Sequence, residues 1–407
     1  MKLFVLVSRV PYPLEKGDKL RAYHQIKRLS EKHEVFLCCL NDDKVSDEAR
    51  EHLKSICSRA EIIDLSTWTI PFKLMFGLFG REPFQVSYFY QRSAQKKIDE
   101  FIDSFQPDHI YCQLVRTTKY VKHRFECRKT LDYMDTLSKG MERRTNNAPF
   151  YFKYLFKTET KRLIGYENLM FEYFDNCTII SQQDRELVYH SERKNISIIP
   201  NGVDTDFFMP IEMEKTHDLV FTGNMNYPPN VDSVEYLIEN ILPLIHKERP
   251  KTTLLISGVN PAKKVLAMAN ANENVTVTGW VKDIRSSYAC SRIFLAPMQI
   301  GTGLQNKLLE AMAMNIPCIT SELANNAIGA EPGVSILIGE DEQDYADKVL
   351  HLLDHKELRG SIARKGLELV RNKFNWDATT KRLESLMFNN DRKEQALVNE
   401  GVQERNA

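Results

Sequence analysis

The residues Ile293 to Ala313, IFLAPMQIGTGLQNKLLEAMA, read as a short apolar strand, a loop with two glycines, and a helix. The strand is expected over Ile293 to Met298, an apolar run ending at a Pro-bearing turn ahead of Gly301 and Gly303. At about 100° per residue, Leu304, Leu308, Leu309, Ala311 and Met312 share one arc of the helix. Gly303, Asn306, Lys307 and Glu310 share the opposite arc, with Gln305 the exception. A helix opening behind glycines presents free N–H groups and the positive end of its dipole, and Lys307 adds a full charge within the first turn or two. That is a seat for phosphate. Glu310, one turn deeper on the same arc, can accept hydrogen bonds from vicinal hydroxyls of a ribose or hexose. Diphosphate and sugar hydroxyls together describe a nucleotide sugar. The glycines alone favour an ordinary strand and helix, with Lys307 and Glu310 as a solvated i,i+3 pair.

Outward from this stretch, β and α patterns alternate along the chain. Strands are expected at Leu3 to Val7, Glu34 to Leu40, Glu61 to Leu65, His109 to Leu114, Lys129 to Met134, Asn176 to Ser181 and Ile196 to Pro200. A second series begins at Asp218, with a loop at Gly223 and Asn224. It continues through Thr253 to Ser257, Val275 to Thr278, Cys318 to Ser321 and Val334 to Ile338. Helical patterns lie between, such as Ser46 to Ser58 and Ser93 to Phe105. Such alternation implies doubly wound parallel sheets. The aromatic stretch Trp68 to Tyr90 reads as core or as an apolar lid. Lys139 to Ile164 carries seven basic and two acidic residues with Phe150, Tyr151, Phe152, Tyr154 and Phe156. It reads as a helix lying on an anionic membrane, or as a long helix packing its aromatics inward.

At 407 residues and 43% hydrophobic, the chain can form two domains with substantial cores. Residues 1 to 200 carry 33 Lys and Arg against 27 Asp and Glu, and the remainder 22 against 28, so the halves are only modestly opposite in sign. No C-x-x-C occurs among the eight cysteines, most of which sit in apolar runs, which indicates a reducing, cytoplasmic setting. The N-terminus reads as a first strand rather than a leader, and no apolar run approaches the ~20 residues of a membrane span. The absence of G-x-G-x-x-G after the first strand argues against a nicotinamide dehydrogenase. The triplet Asp204 to Asp206 is not expected to bind metal, since it does not end a strand of a one-domain enzyme.

The pattern G-x-G-x-x-x-K-x-x-E-A-M from Gly301 to Met312, followed by Pro317 and an apolar strand, resembles the donor-binding motif of GT-B glycosyltransferases, specifically the retaining family 4. Ile199 to Asp204, IPNGVD, resembles the signature preceding that family's second domain, and NKFNWDATTKRLESLMF resembles its closing helix. The resemblance implies two Rossmann-like domains facing a cleft: 1–200 on the acceptor side, completed by a helix over 375–388, and 201–374 on the donor side. A polar tail, 389–407, is expected to be disordered. It implies donor contacts from Gly17, Gly223, Asn224, Gly301, Thr302, Gly303, Leu304, Asn306, Lys307 and Glu310. Thr302 stands where most members carry a first glutamate, and Met134 where they carry a histidine. Asp135, alone or with Asp132, is therefore the candidate polar group beneath the reacting carbon, alongside Lys307 and Glu310. A strand-end aspartate capping the next helix is the equal alternative. The implied activity is retaining transfer from a nucleotide sugar to a glycan or lipid-linked acceptor, with no metal, no other cofactor and no nucleic acid. A sugar-nucleotide epimerase and a non-catalytic binding subunit are the other classes the sequence admits.

Overall fold

A computed structural model describes residues 1–14, 17–66, 68, 80–146, 148–300 and 303–388. The tail 389–407, most of the aromatic stretch (67 and 69–79), and Gly301 and Thr302 lie outside the described residues. The chain divides into two compact units, Met1–Pro200 with the chain from Thr379, and Asn201–Ala378.

The first unit holds seven strands: β1 Lys2–Val7, β2 Glu34–Asn41, β3 Arg59–Asp64, β4 His109–Gln113, β5 Arg128–Asp132, β6 Asn176–Ile179 and β7 Ser197–Ile198. They pair in parallel in the order 3-2-1-4-5-6-7. Side chains alternate across a strand, so a sheet covered on both faces requires every position to be apolar. In β1, Phe4 and Leu6 enter one core while Leu3, Val5 and Val7 enter the other. The helix over 376–388 adds Leu383 and Met387, one turn apart, to the second of these cores.

The second unit holds β8 His217–Thr222, β9 Leu254–Ser257, β10 Val275–Val277, β11 Ser291–Ala296, β12 Cys318–Thr320 and β13 Leu337–Ile338, parallel throughout, in the order 10-9-8-11-12-13. In chain order this is the 3-2-1-4-5-6 arrangement of a dinucleotide-type fold, whose order reverses between β8 and β11.

Two markers far apart in sequence meet in this unit. Val203 N–H donates to Phe374 O at 2.6 Å, and a Cβ on Gly202 would lie 2.7 Å from the backbone nitrogen of Trp376. The glycine of IPNGVD is thus required by close approach of the segment carrying the buried Trp376.

Several boundaries differ from expectation. β11 begins at Ser291, two residues early, because Ser291 already pairs with His217, and it ends at Ala296, since Pro297 has no N–H to donate to a ladder. The following helix is Asn306–Ala313, which leaves Gly303 and Leu304 in the approach loop. The long aromatic helix does not pack its aromatics inward. It is broken ahead of Pro149 into Leu137–Asn146 and Phe150–Phe171, and Phe150 and Tyr154 are 85% and 83% exposed. All eight cysteines are free thiols, and six are buried as small apolar groups.

Candidate functional site

In open α/β sheets a ligand crevice forms outside the carboxyl ends of the strands where their order reverses. In the second unit that point lies between Thr222, which ends β8, and Ala296, which ends β11. The loop after β8 requires glycine: Gly223 has φ of +149°, and a Cβ there would meet Asn230 Nδ2 at 2.7 Å. Asn230, in the first turn of the helix Pro228–Tyr236, donates from Nδ2 to Asn224 O at 2.9 Å. Its Oδ1 accepts from Lys307 Nζ. One buried amide therefore ties the β8 loop to the helix behind β11.

The helix Asn306–Ala313 buries the arc expected of it, with Leu308, Leu309, Ala311 and Met312 in the core, and turns Asn306, Lys307 and Glu310 to the other side. Leu304 packs against the same core. No side chain caps the helix, and Asn306 Oδ1 is occluded without a hydrogen-bond partner among the described residues. Lys307 Nζ lies 4.7 Å from the centre of the Phe221 ring and 3.4 Å from Met298 Sδ. Burial pushes this ammonium down to about 7, against the opposing pull of Glu310. Glu310 does not stand free on a polar face: Tyr288 O–H donates to its Oε2 at 2.8 Å, and Thr222 Oγ1 lies 2.7 Å from that phenol oxygen. With the Tyr288 proton committed to the carboxylate, Thr222 is the donor in the second bond. Burial raises the Glu310 carboxyl, while Tyr288 and Lys307 hold it back. The arrangement offers a half-buried cation that gains by meeting an anion, next to a carboxylate with one oxygen already held.

In the first unit Asp135 follows β5 and reaches solvent. Displacement of water by the crowded surroundings, and then the Asp184 charge, raise its carboxyl to about 6, with Arg116 opposing. Asp132 is not available to assist. It is fully buried, receiving Arg21 Nε at 2.6 Å, Tyr111 O–H at 3.0 Å and Thr178 Oγ1 at 3.0 Å. A carboxylate with that many donors is structural. Met134, at the place of the family's histidine, is buried with φ of +63°. Gly17 opens the helix Gly17–Ser30, where a Cβ would meet nothing within 4 Å; the same is true of Gly303.

Sequence reasoning missed Asn230, Tyr288 and Thr222 around Lys307 and Glu310, as well as Arg21 beneath Asp132. Each acts through a partner distant in sequence, and nothing in the residues' own neighbourhoods marks them.

Residues 216–355 match the family model for Glycosyl transferases group 1. A Klebsiella pneumoniae protein described as an uncharacterized 44.6 kDa protein in the cps region is 22% identical over 86% of this chain and 90% of its own. An Escherichia coli UDP-Gal:alpha-D-GlcNAc-diphosphoundecaprenol alpha-1,3-galactosyltransferase is 26% identical over 47% of this chain and 56% of its own. Among solved structures, HepE of Anabaena in complex with UDP superposes with a TM-score of 0.67 at 12% identity, covering 95% of this chain and 99% of that one. With two parallel-sheet units of this topology and a match to the group 1 model within the second of them, the chain is a glycosyltransferase on a GT-B fold.

Proposed function

We propose that the protein transfers a sugar, with retention of anomeric configuration, from a nucleotide-sugar donor to a glycan or lipid-linked acceptor in cell-surface polysaccharide or glycolipid synthesis. The observation that carries this reading is Lys307, a half-buried ammonium held by Asn230 at the strand-order reversal and at the start of an uncapped helix. As the glycosidic bond breaks, the departing diphosphate gains charge. A fixed cation and aligned N–H groups stabilise that state more than the ground state. Glu310 accepts from the donor sugar's hydroxyls, and Asp135 is the polar group beneath the reacting carbon. The acceptor hydroxyl attacks from the face the leaving group vacates and passes its proton to the departing phosphate. No divalent metal is required, and a chelator leaves turnover unchanged. The E. coli relative, named for a UDP-sugar and a diphospholipid acceptor, supports both substrate classes.

A panel of UDP-, GDP- and ADP-sugars read by thermal shift tests the donor assignment, because a ligand that binds only the folded state raises its apparent stability. Stabilisation by one nucleotide family, with slow hydrolysis of that donor, is expected. Absence of any shift refutes donor binding, and conversion of the sugar nucleotide without an acceptor turns the assignment to an epimerase.

The same reading places the enzyme at a membrane surface. No described helix is long and apolar enough to cross a membrane. The first turns of the helix Phe150–Phe171 expose Phe150, Tyr151, Phe152 and Tyr154, and from Arg143 to Thr158 there is no acidic residue but four basic ones, Arg143, Arg144, Lys153 and Lys157. Aromatic rings with cations and no anions suit the headgroup region of an anionic bilayer.

A further inference from the structure

The strand order of the first unit reverses between β1 and β4, and the residues leaving those two strands include an arginine each, Arg9 and Arg116. Arg116 is half-buried and held in place: its Nε donates to Gln85 Oε1 at 3.0 Å, and its guanidinium carbon lies 5.6 Å from the centre of the Phe89 ring. The helix that carries Gln85 and Phe89 is itself fixed, since Glu159 accepts from the Phe84 and Gln85 N–H groups at 2.7 and 3.1 Å. The two terminal nitrogens of Arg116 have no hydrogen-bond or ion-pair partner among the described residues. The charges acting on it are Arg9 and Arg144, which repel, and Asp18 and Asp135, which attract. Asp18 is already engaged, receiving Arg9 Nη1 at 2.8 Å. Burial and Arg9 together lower the pKa of Arg116.

A guanidinium taken partly out of water, aimed by two contacts and set near a second guanidinium, is unfavourable unless an anion joins it. Arginine is also the side chain whose planar fork best matches phosphate oxygens. Arg9 also lines a cavity of ≈ 260 Å³ at the carboxyl ends of β1 and β2, whose wall sets Arg9, Lys19 and Lys44 against Asp42 and Asp43 and does not include Arg116. The geometry points to a second anion site in the first unit, in which Arg116 and Arg9 grip a phosphate or diphosphate carried by the acceptor. Naming the ligand as acceptor rests on the transferase reading; the site itself stands on the first unit alone. Acceptors lacking phosphate are poor substrates on this account, because Arg9 has Asp18 as its partner but the terminal nitrogens of Arg116 then meet no anion.

Calorimetric titration of inorganic pyrophosphate into the full chain tests the site. Wild type should show two binding events, one from each unit. Arg116→Gln should weaken one event about ten- to a hundredfold, the range expected for losing a charge-assisted hydrogen bond, and leave the other. Lys307→Met should do the converse, and Arg116→Lys should restore part of the lost affinity. Circular dichroism checks that each variant is folded, and Arg9→Gln replaces Arg116→Gln if the latter is not. Both events unchanged in the arginine variants overturns the site, and so does a single event abolished equally by either the arginine or the lysine variant. Preference for glucuronate over pyrophosphate overturns the phosphate assignment. If only the lysine variant is silent, the donor assignment fails and the Arg116 site stands.

Discussion

Lys307 makes the binding of a nucleoside diphosphate depend on pH in a direction that can be worked out beforehand. Burial brings its ammonium from the ordinary 10.5 down to about 7, so in the free protein it is largely neutral above pH 8. A diphosphate against Nζ favours the charged form, and binding must then take up a proton. Each pH unit above 7 costs about tenfold in affinity, or about 1.4 kcal/mol, until the pKa of the complex is reached. A phosphate's own second ionisation lies near pH ~6 and is complete by about pH 7.5. From about pH 7.5 to 9.5 the loss should therefore approach a hundredfold, with uptake of about one proton. Titration of UDP at three pH values across this range, each in two buffers of different ionisation enthalpy, measures affinity and proton uptake together. Flat affinity without proton uptake, or the same slope in Lys307→Met, refutes the reasoning. Stability carries the same signature. Between about 7 and 10.5 the folded chain binds fewer protons at this site than the unfolded one, so its contribution to stability rises with pH, and Lys307→Met removes that rise.

Replacing Glu310 with Gln keeps the size and the bond to Tyr288 but removes the charge. Donor affinity or turnover should fall about ten- to a hundredfold with the melting temperature little changed, and parity with wild type reduces Glu310 to a partner of Tyr288. Gly258→Ala places a Cβ 1.8 Å from the Gly223 carbonyl oxygen at φ of +147° and should cost about 3 kcal/mol or more. Gly223→Ala drives a Cβ at φ of +149° into the Asn230 amide held by Asn224 and Lys307 and should cost about 1 to 3 kcal/mol in chemical unfolding. Asp132→Ala strands the buried Arg21 and should cost about 3 to 5 kcal/mol. Asp135→Asn should leave stability nearly unchanged and remove a limb of the pH–rate profile near pH 6, below which activity falls. In sedimentation, anionic vesicles should retain the protein at low salt and release it at high salt, and Phe150→Ser with Tyr154→Ser should abolish retention; equal binding to neutral vesicles contradicts the membrane reading.

The alternation of buried runs was legible from the residues alone because it is local. Each strand of a doubly covered parallel sheet must be apolar on both faces, so Leu3 to Val7 or Ile293 to Ala296 is visible without knowing its neighbours. The apolar arc of the helix Asn306–Ala313, and with it the side on which Lys307 and Glu310 lie, follows from the 3.6-residue period. Registers and partners were not legible in this way. β11 starts at Ser291 only because His217 pairs with it, and Phe150, Tyr151, Phe152 and Tyr154 face solvent only because the first turns of their helix extend beyond the packed part. Asp132 and Asp135 are alike as letters, but Arg21 and Tyr111, brought from 111 and 21 residues away, bury one of them. Lys307 meets Asn230 across 77 residues, and Glu310 meets Tyr288 across 22. A side chain's charge state depends on how much water its surroundings exclude and on which charges stand within a few ångströms, and both are set by the tertiary fold.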